Sequence, residues 1–132
     1  MDLKILKIAS NTENHKDIKN HTHAAKGKNA ICGDEMFISL IVKNNKIVDF
    51  GYNCKSCIYC QASVSLLSRN VIKITLEEAF NLISKSELFF HDDKNKILKK
   101  WEVFNNIMNK KNISRKECLL LPFKTLSKAL SS

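Results

Sequence analysis

The sequence predicts an α+β fold, a small antiparallel sheet of about three strands packed against a layer of helices. Three observations carry that expectation. Two runs, MFISLIV and KIVDFGY, alternate as strands do and are joined by KNNK. The stretch that follows, CIYCQASVSLLSRNVI, changes to helical spacing. Glycine (3) and proline (1) are too scarce among 132 residues for a loop-dominated chain.

Taken in order, Asp2 to Ile8 predicts a short helix anchored by Leu3, Ile5, Leu6 and Ile8. Ala9 to Lys19 is polar and aperiodic, and reads as a loop. Asn20 to Ala25 predicts an edge strand. From about Glu35 to Tyr52 the chain predicts an antiparallel hairpin. In it Phe37, Ser39 and Ile41 point one way and Met36, Ile38, Leu40 and Val42 the other. Asn44 and Asn45 form its tip, because asparagine tolerates the positive φ of a tight hairpin turn. A helix then opens at Cys57, with Ile58, Ala62, Ser65 and Leu66 at helical spacing. TLEE is a capping box pairing Thr75 with Glu78, at the head of a helix through Ala79, Phe80, Leu82 and Ile83. Asp92 or Asp93 can cap a further helix whose apolar stripe is Ile97, Leu98, Trp101, Phe104, Ile107 and Met108. SRKE offers a second capping box, Ser114 with Glu117. Pro122 conflicts with one smooth helix beyond it. Either a first turn holds Cys118 and a kink follows, or the helix proper starts near Pro122; both leave Cys118 near a helix N-terminus.

The length fits a single domain, residues 1–132, large enough to fold on its own core. No apolar run approaches the ~20 residues of a membrane span, and the N-terminal MDLKILKIAS is too short for a signal peptide. A cytoplasmic location follows, where thiols stay reduced. The net charge of +9 is uneven. From Lys94 to Lys116 eight basic side chains face one acid, Glu102. That run reads as a solvated face, a bias toward Lys and Asn, or a docking patch for an acidic partner or nucleic acid. Aromatic interleaving is thin and no recognition motif appears, so nucleic acid is not an expected partner.

The five cysteines carry the chemistry. Cys54, Cys57 and Cys60 follow one another at three-residue steps, Cys32 precedes them and Cys118 stands far downstream. An odd count with this crowding argues for metal or thiol chemistry rather than a disulfide framework. Both need thiolate, which backbone N–H groups at a helix start favour. Cys57 and Cys118 sit at predicted helix starts, and Cys32 lies in the turn Cys32-Gly33-Asp34 leading into the hairpin. Asp34 adds a hard oxygen donor. Three cysteines and an aspartate suit tetrahedral Zn²⁺, or an iron–sulfur cluster with one easily exchanged ligand. Taken singly, Cys32, Cys118 and Asp34 also read as a buried turn thiol, a core thiol and a solvated turn carboxylate. CKSCIYC lacks the fourth cysteine and the proline of a ferredoxin run, with Val64 in place. A zinc finger lacks its histidine pair. His15, His21 and His23 all lie upstream, and His91 stands alone.

NAICGDEMFISLIVKNNKIVDFGYNCKSCIYCQASVSLLS resembles the NifU/IscU/SufU family of iron–sulfur cluster assembly scaffolds. That family reads N-P-x-C-G-D, then a hairpin, then G-x-G-C-x-I-S-x-A-S-x-S-M-M. Asn29, Cys32, Gly33 and Asp34 match the first block; Cys57, Ala62, Ser63, Ser65 and Leu66–Leu67 match the second. RKECLLLPFKTLSKAL is similar to the helix carrying the third cysteine. The long gap from Cys57 to Cys118, with Glu117 before the third cysteine and Arg115 three before it, resembles the SufU-like and NifU-like branches. Cys54 and Ser56 stand where the family has glycines, Cys60 where it has serine, and Ala30 where it has proline.

The resemblance implies that Cys32, Asp34, Cys57 and Cys118 bind iron and a nascent, transient [2Fe–2S] cluster. The cluster would be assembled with sulfur from a cysteine desulfurase and passed to acceptor apo-proteins. Such a protein is a scaffold rather than an enzyme. The alternative is a zinc-dependent sulfurtransferase of the SufU kind, in which Cys57 accepts persulfide sulfur. Cys54 and Cys60 either shelter sulfur in transit or are inert.

Overall fold

The computed structural model describes residues 3–31, 33–91 and 99–131. Three strands, β1 (His23–Lys28), β2 (Glu35–Lys43) and β3 (Lys46–Lys55), form an antiparallel sheet in that order. Four α-helices accompany it among the described residues: α1 (Leu3–Ala9), α2 (Ile58–Val71), α3 (Leu76–Leu88) and α4 (Lys116–Leu130). Two 3₁₀ segments, Lys99–Asn106 and Lys110–Arg115, lead into α4. The predicted α+β class is the observed one.

The hairpin forms as its alternation requires. Asn44 and Asn45 take φ values of 52° and 63° at the tip, the left-handed conformation of a tight hairpin turn. The register pairs Met36 with Cys54, Ile38 with Tyr52 and Leu40 with Phe50. Those side chains share one face, where Met36, Ile38, Leu40, Phe50 and Tyr52 are buried against the helices. The register shifts between Ile41 and Val42. Residues 14–16 pair with the free edge of β3. Tyr52 N–H donates to the Asn14 carbonyl, and Lys16 N–H to the Tyr52 carbonyl, each at 3.1 Å.

β1 runs from His23 to Lys28 rather than Asn20 to Ala25. Packing against α4 sets this shift. A Cβ on Gly27 would stand 2.1 Å from Thr125 Oγ1 and 3.2 Å from Leu121 Cδ1, so only glycine lets the strand lie this close. In α1 the anchors are Ile5 and Ala9. Leu3 and Leu6 are 78% and 42% exposed, because a seven-residue helix on the surface buries a single narrow face.

α2 is buried on nearly every side, which its small residues permit. Ala62, Ser63, Ser65 and Ser68 let neighbouring elements approach, and each hydroxyl is satisfied. Ser63 Oγ donates to the Leu119 carbonyl (2.6 Å), Ser65 Oγ to that of Asn11 (2.7 Å) and Ser68 Oγ to that of Ser65 (2.8 Å). The α3 capping box is present in both directions between Thr75 and Glu78. Of the residues on that helix, Ala79, Leu82 and Ile83 are buried and Phe80 is exposed.

The second capping box does not form. Ser114 lies in a 3₁₀ segment, α4 starts at Lys116, and its N-cap Arg115 makes no side-chain cap bond. Trp101, Phe104, Ile107 and Met108 are buried as the stripe predicted, but on a kinked 3₁₀ segment and the turn after it rather than an α-helix. Asp92, Asp93, Ile97 and Leu98 lie outside the described residues. α4 runs on through Pro122, which has no N–H to give the carbonyl four residues back, that of Cys118. Burial of Leu119, Leu121, Phe123, Leu126 and Ala129 holds the helix in place despite that.

Of the basic run, Lys94 and Lys96 lie outside the described residues. Lys100 pairs with Glu78 at 3.5 Å and lies over Trp101. Lys110 donates to the Phe89 carbonyl and lies over the Phe89 and Phe90 rings. No helix among the described residues is long and apolar enough to cross a membrane.

Candidate metal centre

Three chain segments meet at one end of the fold. The first is the turn before β2. Asn29 organises it: its side-chain oxygen accepts from Ile31 N–H (3.0 Å), its N–H donates to the Asp34 carbonyl (2.8 Å) and its carbonyl accepts from Gly33 N–H (2.8 Å). Gly33 takes a φ of +73°, which a side chain would strain. The turn delivers Asp34 as a carboxylate only 5% exposed.

The second segment is the link from β3 into α2. Cys57 is the N-cap of α2, in extended conformation and half-buried. Its own N–H donates to Asp34 Oδ1 at 3.1 Å, which ties the turn to the helix start. The third is the first turn of α4, where Cys118 is the third residue and is buried. Both thiols therefore stand at helix N-termini, as the sequence predicted.

One ligand atom each from Asp34, Cys57 and Cys118 lie within 4.8 Å of one another. A tetrahedron of 2.3 Å bonds has edges of about 3.8 Å, so small side-chain rotations suffice to close this set on one cation. Two soft sulfurs and a hard oxygen fit Zn²⁺ or iron equally. The expected fourth member, Cys32, lies outside the described residues.

Two contacts that sequence reasoning missed brace the thiol-bearing helix starts. Arg115, just before α4, lies over the Tyr59 ring in the first turn of α2, at 5.2 Å. Ser63 ties α2 to the Leu119 carbonyl beside Cys118. Neither has a sequence signal, since the partners are 56 positions apart.

The two remaining thiols differ from each other. Cys60 is fully buried in the core, and burial pushes its thiol far above the ordinary cysteine range. Cys54 is half-buried at the end of β3. Burial raises its thiol as well, with the Asp34 carboxylate adding to the shift. The Ser56 hydroxyl makes no hydrogen bond of ordinary geometry among the described residues. It lies near enough to both thiols to offset part of each shift.

The family model for the NifU-like N-terminal domain matches residues 2–92. The iron–sulfur cluster assembly scaffold protein IscU of Thermotoga maritima is 32% identical over 129 residues, covering 96% of this chain and 89% of that protein. An uncharacterised protein of Borreliella burgdorferi is 29% identical over 131 residues, 97% of this chain and 80% of its own. Among solved structures, a candidate iron–sulfur cluster assembly scaffold for the SUF system from Fervidobacterium islandicum superposes with a TM-score of 0.88. It is 27% identical, over 98% of this chain and 96% of that one. The N-terminal part of a NifU-like protein from Brucella abortus gives the same TM-score at 20% identity, over 98% and 91%, a likeness of fold. The chain belongs to the NifU-like N-terminal domain family of iron–sulfur cluster assembly scaffolds.

Proposed function

We propose that this protein is an iron–sulfur cluster assembly scaffold. Cys57, Cys118 and Asp34, with Cys32, hold iron and a nascent [2Fe–2S] cluster as cargo. Sulfur arrives from a cysteine desulfurase, and the cluster leaves by ligand exchange to acceptor apo-proteins in the cytoplasm. The observation that carries the reading is the convergence of Asp34, Cys57 and Cys118 within 4.8 Å, from segments up to 84 positions apart. The donors divide the work. Cys57, half-buried at the mouth of α2, is the thiol an incoming persulfide can reach. Asp34 and Cys118 form the buried back of the site. An oxygen donor binds iron less tightly than thiolate, which suits a cargo that must be released.

Anaerobic reconstitution with iron, sulfide and a desulfurase tests this. The scaffold develops the visible absorption of a [2Fe–2S] cluster, and Cys57→Ser and Cys118→Ser lose it. A protein that stays colourless under these conditions is not a scaffold.

The donor set itself, two thiols and a carboxylate that suit zinc as well as iron, supports a second reading. Here Zn²⁺ rests on the same donors, and Cys57 leaves it to accept persulfide sulfur from the desulfurase. Metal analysis of freshly purified protein separates the two. One tightly held zinc per chain, with desulfurase stimulation that requires Cys57, supports the sulfurtransferase.

A further inference from the structure

We propose that Arg115 and Tyr59 are positioning residues for the candidate metal centre. The guanidinium resting on the ring closes the two helix starts that carry Cys57 and Cys118, and so sets how tightly the site holds a cation. The inference rests on the reading that Asp34, Cys57 and Cys118 bind one.

Both helix starts lack the device that ordinarily fixes a helix end. The N-cap of α2 is Cys57 itself and that of α4 is Arg115, and neither makes a side-chain cap bond. In α3, by contrast, Thr75 and Glu78 close the first turn in both directions. The first N–H groups of a helix have no partner within it, and a start without a cap frays more readily. Nor does regular helix extend ahead of α4 to stiffen it, because the preceding 3₁₀ segment is kinked at Asn112. The donors also work against closure. A cation binds them as thiolate and carboxylate, and such anions within 4.8 Å of one another repel until it arrives.

Arg115 and Tyr59 supply the missing tie. Tyr59 stands two residues after Cys57, and Arg115 three before Cys118. The Arg115 guanidinium lies 5.2 Å from the centroid of the Tyr59 ring, within cation–π range. The contact joins the first turn of α2 to the N-cap of α4. Deeper in, Ser63 Oγ donates to the Leu119 carbonyl at 2.6 Å and pins the two helices together. That bond leaves the end turns to be held from outside. Arg115 is exposed and Tyr59 half-buried, so removing the cation leaves the core intact.

The loaded site requires closed starts. The metal-free chain divides between closed and splayed starts, and the clasp favours the closed form. Loss of the clasp lowers the closed fraction, and apparent affinity for the metal falls with it.

The full chain is titrated with Zn²⁺ against a chromophoric chelator, and release of zinc to excess chelator is timed. Tyr59→Leu and Arg115→Gln should each weaken zinc binding by about two- to fivefold, the range of an exposed cation–π contact, and speed its release. The double variant should be no weaker than the weaker single one, since either change removes the same contact. Tyr59→Phe should bind as the parent does, because the ring face and not the hydroxyl receives the guanidinium. A merely structural role would lower the metal-free Tm and leave zinc affinity alone. Three results overturn the clasp: affinity in Arg115→Gln within about 1.5-fold of the parent, losses that add in the double variant, or Tyr59→Phe as weak as Tyr59→Leu. Arg115→Gln changes only an exposed side chain and reads the contact even if Tyr59→Leu does not fold. A parent chain that takes up no zinc removes the metal reading and the clasp together, whereas a parent that binds while its variants match it removes the clasp alone.

Discussion

Gly27→Ala acts on the candidate metal centre through α4, whose Leu121 and Thr125, against Gly27, lie on the same helical face as Cys118. The added Cβ would stand 2.1 Å from Thr125 Oγ1, against an ordinary contact of at least 3.4 Å, so β1 and α4 must separate by more than an ångström. Thr125 cannot swing away at no cost, being 1% exposed with its hydroxyl donating to the Leu121 carbonyl at 2.8 Å. Overpacking of this kind costs about 1–3 kcal/mol. For a chain of this length that lowers Tm by roughly 3–15 °C. The same displacement moves α4, and Cys118 lies one turn from Leu121, so affinity for Zn²⁺ falls together with stability. Thermal melts by circular dichroism and a competitive zinc titration read the two effects. The double variant Gly27→Ala/Thr125→Ala removes the 2.1 Å clash and recovers most of the lost Tm. A Gly27→Ala protein melting within about 1 °C of the parent would refute the reasoning.

Three other outcomes are expected. Ser63→Ala removes the 2.6 Å bond to the Leu119 carbonyl and lowers unfolding free energy by about 1 kcal/mol in a urea titration. Glu78 is held below the ordinary carboxylate range first by the Thr75 backbone N–H, then by its hydroxyl and by Lys100. Its folded-state pKa is depressed, so its contribution is present above the unfolded value near ~4.3 and lost as pH falls through the folded one. Melts from pH 7 down to pH 3 should show that loss in the parent and not in Glu78→Gln. Cys60→Ala leaves metal stoichiometry unchanged while lowering Tm, since this thiol fills core space and is not among the converging donors.

The elements legible in the sequence were those written in local chemistry. Asn44–Asn45 specified its turn, Thr75 and Glu78 their box, and the change of period at Cys57 the start of α2. The thiols at helix starts were legible for the same reason, because N-caps and first turns are local features. What was not legible depended on distant partners. β1 is placed by the fit of Gly27 against Thr125, about a hundred residues away. The Ser114–Glu117 signal failed because the chain from Lys110 to Arg115 winds as 3₁₀ and α4 takes Arg115 as its N-cap, leaving Ser114 one residue too early to cap it. Pro122 sits inside a helix that propensity alone would break there, held by a buried face. The bracing of Tyr59 by Arg115 joins residues with no shared periodicity.

The convergence of Asp34, Cys57 and Cys118 on one cation is tested most directly by zinc K-edge X-ray absorption on the loaded protein. A shell of sulfurs near ~2.3 Å with one shorter oxygen near ~2.0 Å is expected, losing one sulfur in Cys57→Ser and one in Cys118→Ser. A shell of oxygen and nitrogen alone, or a sulfur count unchanged in Cys118→Ser, would contradict it.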